Sequence, residues 1–128
     1  MILDTDTISY YLRGMQSIKD QFIAHQYELA STAINYAELV YGLKKRDAKR
    51  YLSKVELIFD NIKVYGFDKK SAAIFGELKA QMQRNGVVMA DMDLLIASIA
   101  LANKEKLITH NLKHFSKIEM LAVESWVK

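Results

Sequence analysis

A single α/β domain, with a short, mostly parallel sheet flanked by helices on both faces, is the architecture the sequence predicts. Three observations carry it. Short apolar runs alternate with longer helical stretches from one end to the other, which is the pattern of parallel strands joined by helical crossovers. The chain has 128 residues, 51% hydrophobic and 26% charged, enough for one buried core and too apolar for disorder. It holds no proline and only five glycines, with no linker, repeat or low-complexity stretch, so residues 1–128 read as one domain.

The elements follow in order. "MIL" is a short apolar strand, and "TISYYLRG" begins a helix that stops at Gly14. "IKDQFIAHQ" reads as a further helical segment. "YELAST" is a strand running into a helix N-cap, with Ser31 or Thr32 as the capping residue. "AINYAELVYGL" is a helix ending near Gly42. "DAKRYLSKVELIFD" carries apolar residues at 48, 52, 55 and 59, the helical spacing. "NIKVYGF" is a strand, and "DKKSAAIFGELKAQMQRNG" a long helix capped by Asp68 and closed by Asn85-Gly86. "DMDLLIASIALANKE" is apolar on nearly every side and therefore a buried helix. "KLITH" is a strand, "NLKHF" a helical turn and "MLAVESW" a last short strand.

Composition excludes several classes. There is no cysteine, so neither a disulfide framework nor a thiolate metal site exists, and a reducing cytoplasm fits. No apolar run approaches the roughly 20 residues that span a bilayer, so no membrane association is expected. The opening "MILDTDT" lacks the basic segment of a signal peptide. A net charge of +3 permits an anionic partner without demanding one.

The informative residues are carboxylates in places where an acid needs a reason. In parallel α/β sheets, ligands bind at the carboxyl ends of strands. Asp4 stands at the end of the first strand, either as a ligand or as the N-cap of the following helix. Glu38 shares a helix face with Ile34, Ala37 and Tyr41, and an acid at the edge of an apolar face needs a partner. Asp91 and Asp93 fall in the first turn of the most apolar helix, where the helix dipole favours negative charge. Capping accounts for Asp91. Asp93 lies on the face of Ile96, Ala97 and Ala100 and points inward. Thr109, His110 and Asn111 follow another strand end. His110 and His114 are four apart, but no HExxH motif accompanies them, and they read as surface histidines rather than a zinc pair. Three carboxylates converging at one sheet end form an oxygen-only set suited to Mg²⁺ or Mn²⁺. Phosphodiester hydrolysis is the chemistry such a set performs.

Taken together, "LDTD", "INYAELVYGL", "DMDLLIASIAL" and "LITHNLKHFSKI…ESW", in that order, resemble a PIN-domain ribonuclease of the VapC toxin type, over essentially the whole chain. The resemblance implies a PIN-like fold and a Mg²⁺- or Mn²⁺-dependent endoribonuclease. It also implies a homodimer and neutralisation by a cognate VapB-type antitoxin. Carried over residue by residue, Asp4, Glu38 and Asp93 match the catalytic acids that hold the metal, and Thr109 matches a small hydroxyl residue beside it. Two positions depart from the family pattern. Asp6 stands where Asn is common and is expected to support the site. Asn111 stands where many members carry a fourth acid, a role that Asp91 is near enough in sequence to fill.

Two other readings compete. "ILDTDTI" also fits the opening of a haloacid-dehalogenase-like phosphatase, with Asp4 as nucleophile and Asp6 as acid/base. No Gly-Asp pair or late acid pair completes that motif set. The other is a catalytically inactive binding module, against which the intact acids argue. The stretch "KKRDAKRYLSK" carries six basic side chains and one acid, either an RNA backbone track or a solvated helix face. Adjacent Tyr10 and Tyr11 cannot both enter one helical stripe, so one of them is expected on the surface, at an interface or in solvent.

Overall fold

The computed structural model describes residues 1–128. Five strands form one sheet in the order β3-β2-β1-β4-β5: β1 (Ile2–Leu3), β2 (Ala30–Thr32), β3 (Lys63–Tyr65), β4 (Leu107–Ile108) and β5 (Val123–Glu124). Every pair is parallel, so the sheet is wholly rather than mostly parallel. The helices are α1 (Thr5–Leu12), α2 (Gln16–Ala24), α3 (Ala33–Lys45), α4 (Leu52–Asp60), α5 (Lys69–Arg84), α6 (Asp91–Ala102) and α7 (Leu112–Phe115). A 3-10 turn at Lys49–Tyr51 leads into α4, in the region where the sequence suggested one continuous helix.

The two-residue alternation of the strands builds two cores. Ile2 and Leu107 face one side with Leu94, Ile96, Ile99 and Phe115. Leu3 and Ile108 face the other with Ile8, Phe22, Leu39, Val55 and Trp126. Both faces of the sheet are therefore covered at its centre, which is why β1 and β4 are apolar at every position. α6 is buried at Leu94, Ile96, Ala97, Ser98, Ile99, Ala100 and Ala102, as its all-round apolarity requires. α5 begins at the Asp68 cap, whose side chain accepts from the Ser71 N–H at 2.8 Å. It ends at Gly86, where φ of +68° favours glycine.

Three local expectations are corrected. Ala90, not Asp91, is the N-cap of α6, and it makes no side-chain cap bond. Asp91 instead pairs with Lys79 of α5 at 3.0 Å, because its side chain leans out to the neighbouring helix. The buried stripe of α3 is Asn35, Leu39 and Leu43. Ala37 and Tyr41, placed with Glu38 on an apolar face, are exposed, so Glu38 lies at the rim of the helix rather than against the core. Tyr10 and Tyr11 are both half-buried: Tyr11 stacks on Phe22 at 4.1 Å and Tyr10 meets His110 edge-on at 6.0 Å. Neither tyrosine is the exposed aromatic expected there.

The chain order places the site. From β1 the chain winds out through β2 to β3, then returns across β1 to β4 and β5. The winding reverses between β1 and β4, and at such a reversal the loops leaving the two strand ends diverge and open a crevice. Asp4 leaves β1 and Thr109 leaves β4 at that crevice.

Candidate active site

Asp4 occupies the junction of β1 and α1. Its N–H donates to the Ile108 carbonyl at 2.9 Å, which continues the sheet ladder by one residue. Its extended backbone makes it the N-cap of α1, and Oδ1 accepts from the Thr5 N–H at 2.9 Å. Capping and site membership are thus not alternatives: the cap uses part of one oxygen. Oδ1 also accepts from Asn35 Nδ2 at 3.0 Å, and Oδ2 accepts from Thr109 Oγ1 at 2.7 Å. A carboxylate offers about four acceptor positions, so room for a further partner remains.

Asp4 is 7% exposed, and burial is the main reason its carboxyl is pushed up to about 7. The negative charge of Asp6 raises it further, and that of Glu38 adds less, while the bonds from Thr109 and Thr5 pull the other way. No lysine or arginine ion-pairs with Asp4, Asp6, Glu38 or Asp93; the only ion pair among them is the approach of His114 Nδ1 to Asp93 Oδ2 at 3.9 Å. A buried acid crowded by acids and without a basic side chain is short of positive charge.

The other predicted residues gather by different routes. Asp6 bridges α1 to the end of β4: Oδ2 accepts from the His110 N–H at 3.0 Å, and Thr109 Oγ1 lies 3.4 Å away. Glu38 is joined through Thr5, whose hydroxyl donates to Oε1 at 2.7 Å. The partner that the sequence required of Glu38 is thus a hydroxyl rather than a cation. Asp93 is half-buried at the start of α6. Burial raises its carboxyl above the usual range, His114 lowers it, and the charge of Asp6 raises it again. Asn111 donates its N–H to Thr109 Oγ1 at 3.0 Å, and its amide meets His114 Nδ1 at 2.9 Å. The acids share a neighbourhood without closing into a ready ligand cluster of three.

Two open points of the sequence reading are answered by the packing. Asp91, held by Lys79, makes no contact with this group and does not replace a fourth acid. His110 and His114 do not pair: the ring of His110 turns to Ser125 and Tyr10. His114 nevertheless stands at the site's edge through Asp93 and Asn111, which its exposed place in a polar turn did not reveal. The basic side chains of residues 44–54, from the end of α3 into α4, are exposed, with Arg50 and Lys54 lying over the Tyr51 ring and Lys45 over Tyr41. Asn35 is the main residue that sequence reasoning missed. The signal available was a polar residue one turn before Leu39 on the buried stripe of α3.

The family model described as PIN domain matches residues 1–120. The chain belongs to the PIN domain family. Among curated relatives of this PIN domain, "Ribonuclease VapC2" of Rickettsia felis is 33% identical over 109 residues, covering 84% of this chain and 81% of its own. The "tRNA(fMet)-specific endonuclease VapC" of Salmonella typhimurium is 28% identical, covering 98% of this chain and 96% of its own. Among solved structures, VapBC2 from Rickettsia felis bound to a promoter DNA fragment superposes with a TM-score of 0.90 at 28% identity, covering 98% of both chains. DNA-bound VapBC from Salmonella typhimurium gives a TM-score of 0.91 at 26% identity, covering 98% of this chain and 97% of that one. No helix of this PIN domain is long and apolar enough to cross a membrane.

Proposed function

We propose that residues 1–128 act as one PIN domain that cleaves RNA phosphodiester bonds with a divalent metal, Mg²⁺ or Mn²⁺, as a VapC-type toxin of the cytoplasm restrained by a VapB-type antitoxin. One observation carries the metal-dependent reading: Asp4, buried and crowded by Asp6 and Glu38 at the strand-order reversal, is without a basic partner. The donor set is all oxygen near Asp4, which suits a hard cation that keeps several waters and meets phosphate oxygens. Asp4, Glu38 and Asp93 are the residues that would hold it, drawn inward from positions that are near one another but not closed. The chemistry a divalent ion would supply there is a more acidic water and an offset to the charge that develops on the phosphate. Asp6 and Thr109 hold Asp4 and the end of β4 in register, and Asn111 braces Thr109 from the far side.

The test is cleavage of RNA by the purified chain, freed of any partner, with Mg²⁺ or Mn²⁺ and with excess EDTA. Cleavage is expected with either metal and is expected to stop with chelator. Undiminished activity in EDTA would sink the metal mechanism. Sequencing the cut ends across a transcriptome after brief expression names the target RNA.

Partners have a physical basis on the surface. Ile23, Tyr27 and Leu57 are 69%, 94% and 65% exposed. They border a groove between α2 and α4 of about 490 Å³ that Phe22, Ile58 and Ile62 also line. Exposed apolar groups clustered around a groove mark an interaction surface. The chain is expected to co-purify with the product of an adjacent small gene when the two are expressed together. It is also expected to sediment as a homodimer at tens of micromolar, roughly the range in which a modest interface is populated. Recovery of the chain alone, or a monomer throughout that range, counts against the corresponding partner.

A further inference from the structure

We infer that Asn35 is a positioning residue for the proposed reaction: its buried amide orients Asp4 directly and Glu38 through the Thr5 hydroxyl, holding the two acids in one arrangement before a metal arrives. The inference rests on the metal-dependent reading above.

Asn35 is fully buried, on a stripe whose next members are Leu39 and Leu43. An amide there costs stability unless its hydrogen bonds are made. They are made, and they set its orientation. Oδ1 accepts from Thr32 Oγ1 at 2.7 Å, while Thr32 Oγ1 accepts from the Asn35 N–H at 3.1 Å. This reciprocal pair at the start of α3 leaves the NH₂ group facing the crevice. One N–H donates to Asp4 Oδ1 at 3.0 Å and the other to Thr5 Oγ1 at 3.0 Å. With its oxygen accepting, the Thr5 hydroxyl directs its single proton to Glu38 Oε1 at 2.7 Å. The direction of every bond is fixed by the donors available: amide to hydroxyl, hydroxyl to carboxylate. A helix cap alone needs only the Thr32 half of this arrangement. The NH₂ half reaches across to β1 and α1 and ends on two of the three acids proposed to hold the metal.

Groups that orient metal-holding side chains from behind typically change metal affinity about 10- to 100-fold when removed. The variants are Asn35→Leu, Asn35→Ser and Thr5→Val in the full chain freed of antitoxin. Each is titrated with Mn²⁺ by calorimetry without RNA, and its unfolding by urea is followed in EDTA. Asn35→Ser and Asn35→Leu are each expected to weaken Mn²⁺ binding by about tenfold or more in the folded protein. Thr5→Val is expected to do so through Glu38. The Asn35→Ser, Thr5→Val double variant is expected to fall well short of the product of the single effects, because the two residues act in one chain of bonds. If Asn35→Leu does not fold, Asn35→Ser decides alone. Variants that unfold more readily yet bind Mn²⁺ as the wild type does would overturn the inference and leave Asn35 a helix cap. Single effects that simply multiply would overturn the link through Thr5. A wild-type chain that neither takes up Mn²⁺ nor cleaves RNA overturns the proposed function itself, a result distinct from unaltered variants of an active wild type.

Discussion

Asp4→Asn and Asp93→Asn are each expected to lower metal-dependent RNA cleavage by roughly 10²-fold or more, because each removes charge from the place where the reaction needs it. Glu38→Gln is expected to behave similarly. A glutamine carbonyl can still accept from Thr5 Oγ1, now at 2.7 Å from Glu38, so the substitution removes charge and spares the local fold. Asp6→Asn is the contrasting case. Asp6 Oδ2 accepts from the His110 N–H, which an asparagine carbonyl does as well. Activity within about tenfold of wild type, or ~1.4 kcal/mol of barrier, is expected. A phosphatase using Asp4 as nucleophile gives the opposite pattern. Asp6→Asn then costs roughly 10²–10⁴ in rate, Glu38→Gln matters little, and a phosphoaspartate is trapped on Asp4. Rates of all four variants on RNA and on a small phosphomonoester separate the two. A protein that hydrolyses the phosphomonoester, leaves RNA intact, and is dead as Asp6→Asn but alive as Glu38→Gln would overturn the nuclease assignment.

Metal-free wild-type protein is expected to lose stability as the pH rises from about 4 to about 7, and Asp4→Asn is expected to remove most of that loss. The sign follows from linkage. The Asp4 carboxyl rises from 3.8 to about 7 in the folded chain, so across that interval the native state holds a proton that the unfolded state has released. Stability is therefore fully present below the unfolded value and is lost as the pH climbs through the folded one. A shift of this size corresponds to at most about 4 kcal/mol. Asp93 shifts in the same direction and adds to the trend. Glu105 and Glu124 are lowered, Glu105 by the N-terminal amine and the Tyr65 hydroxyl against its own burial, Glu124 by Lys106 and Trp126. Their contributions are lost only as the pH falls through the acid range, outside the interval used. Asn can replace Asp4 without orphaning a donor. Its carbonyl takes the bonds from Thr5 and Asn35, and its NH₂ faces Thr109 Oγ1, whose proton can turn to Asp6 Oδ2 at 3.4 Å. Urea unfolding in EDTA at pH 5 and pH 8 reads the effect. Saturating Mg²⁺ at pH 8 should stabilise the wild type and leave Asp4→Asn nearly unmoved, since only a folded site binds the ion. A wild type equally stable at both pH values would refute the account of Asp4.

The sequence by itself determined the fold class, the order of the elements and the acids worth testing. Those properties are local. Apolar runs two or three residues long mark β1 and β4, and the all-round apolar stretch after Asp93 announces a buried α6. An acid just past a strand end, or in the first turn of an otherwise apolar helix, is visible in one dimension, which is why Asp4 and Asp93 stood out. What only the tertiary structure decided concerns residues far apart in the chain. Asn35 meets Asp4 across 31 positions, and Thr109 meets it across 105. From the sequence, Asn35 is merely a polar residue beside a helix cap. Asp91 reads in the sequence as a helix cap, yet the packing of α5 on α6 gives it Lys79 instead. The rim position of Glu38 likewise depends on which face of α3 meets the core. Periodicity tells which residues of one element share a face; it does not tell which other element that face will meet. Strand order decides that, here the reversal between β1 and β4, because side chains 100 residues apart meet only where the sheet brings their strand ends together.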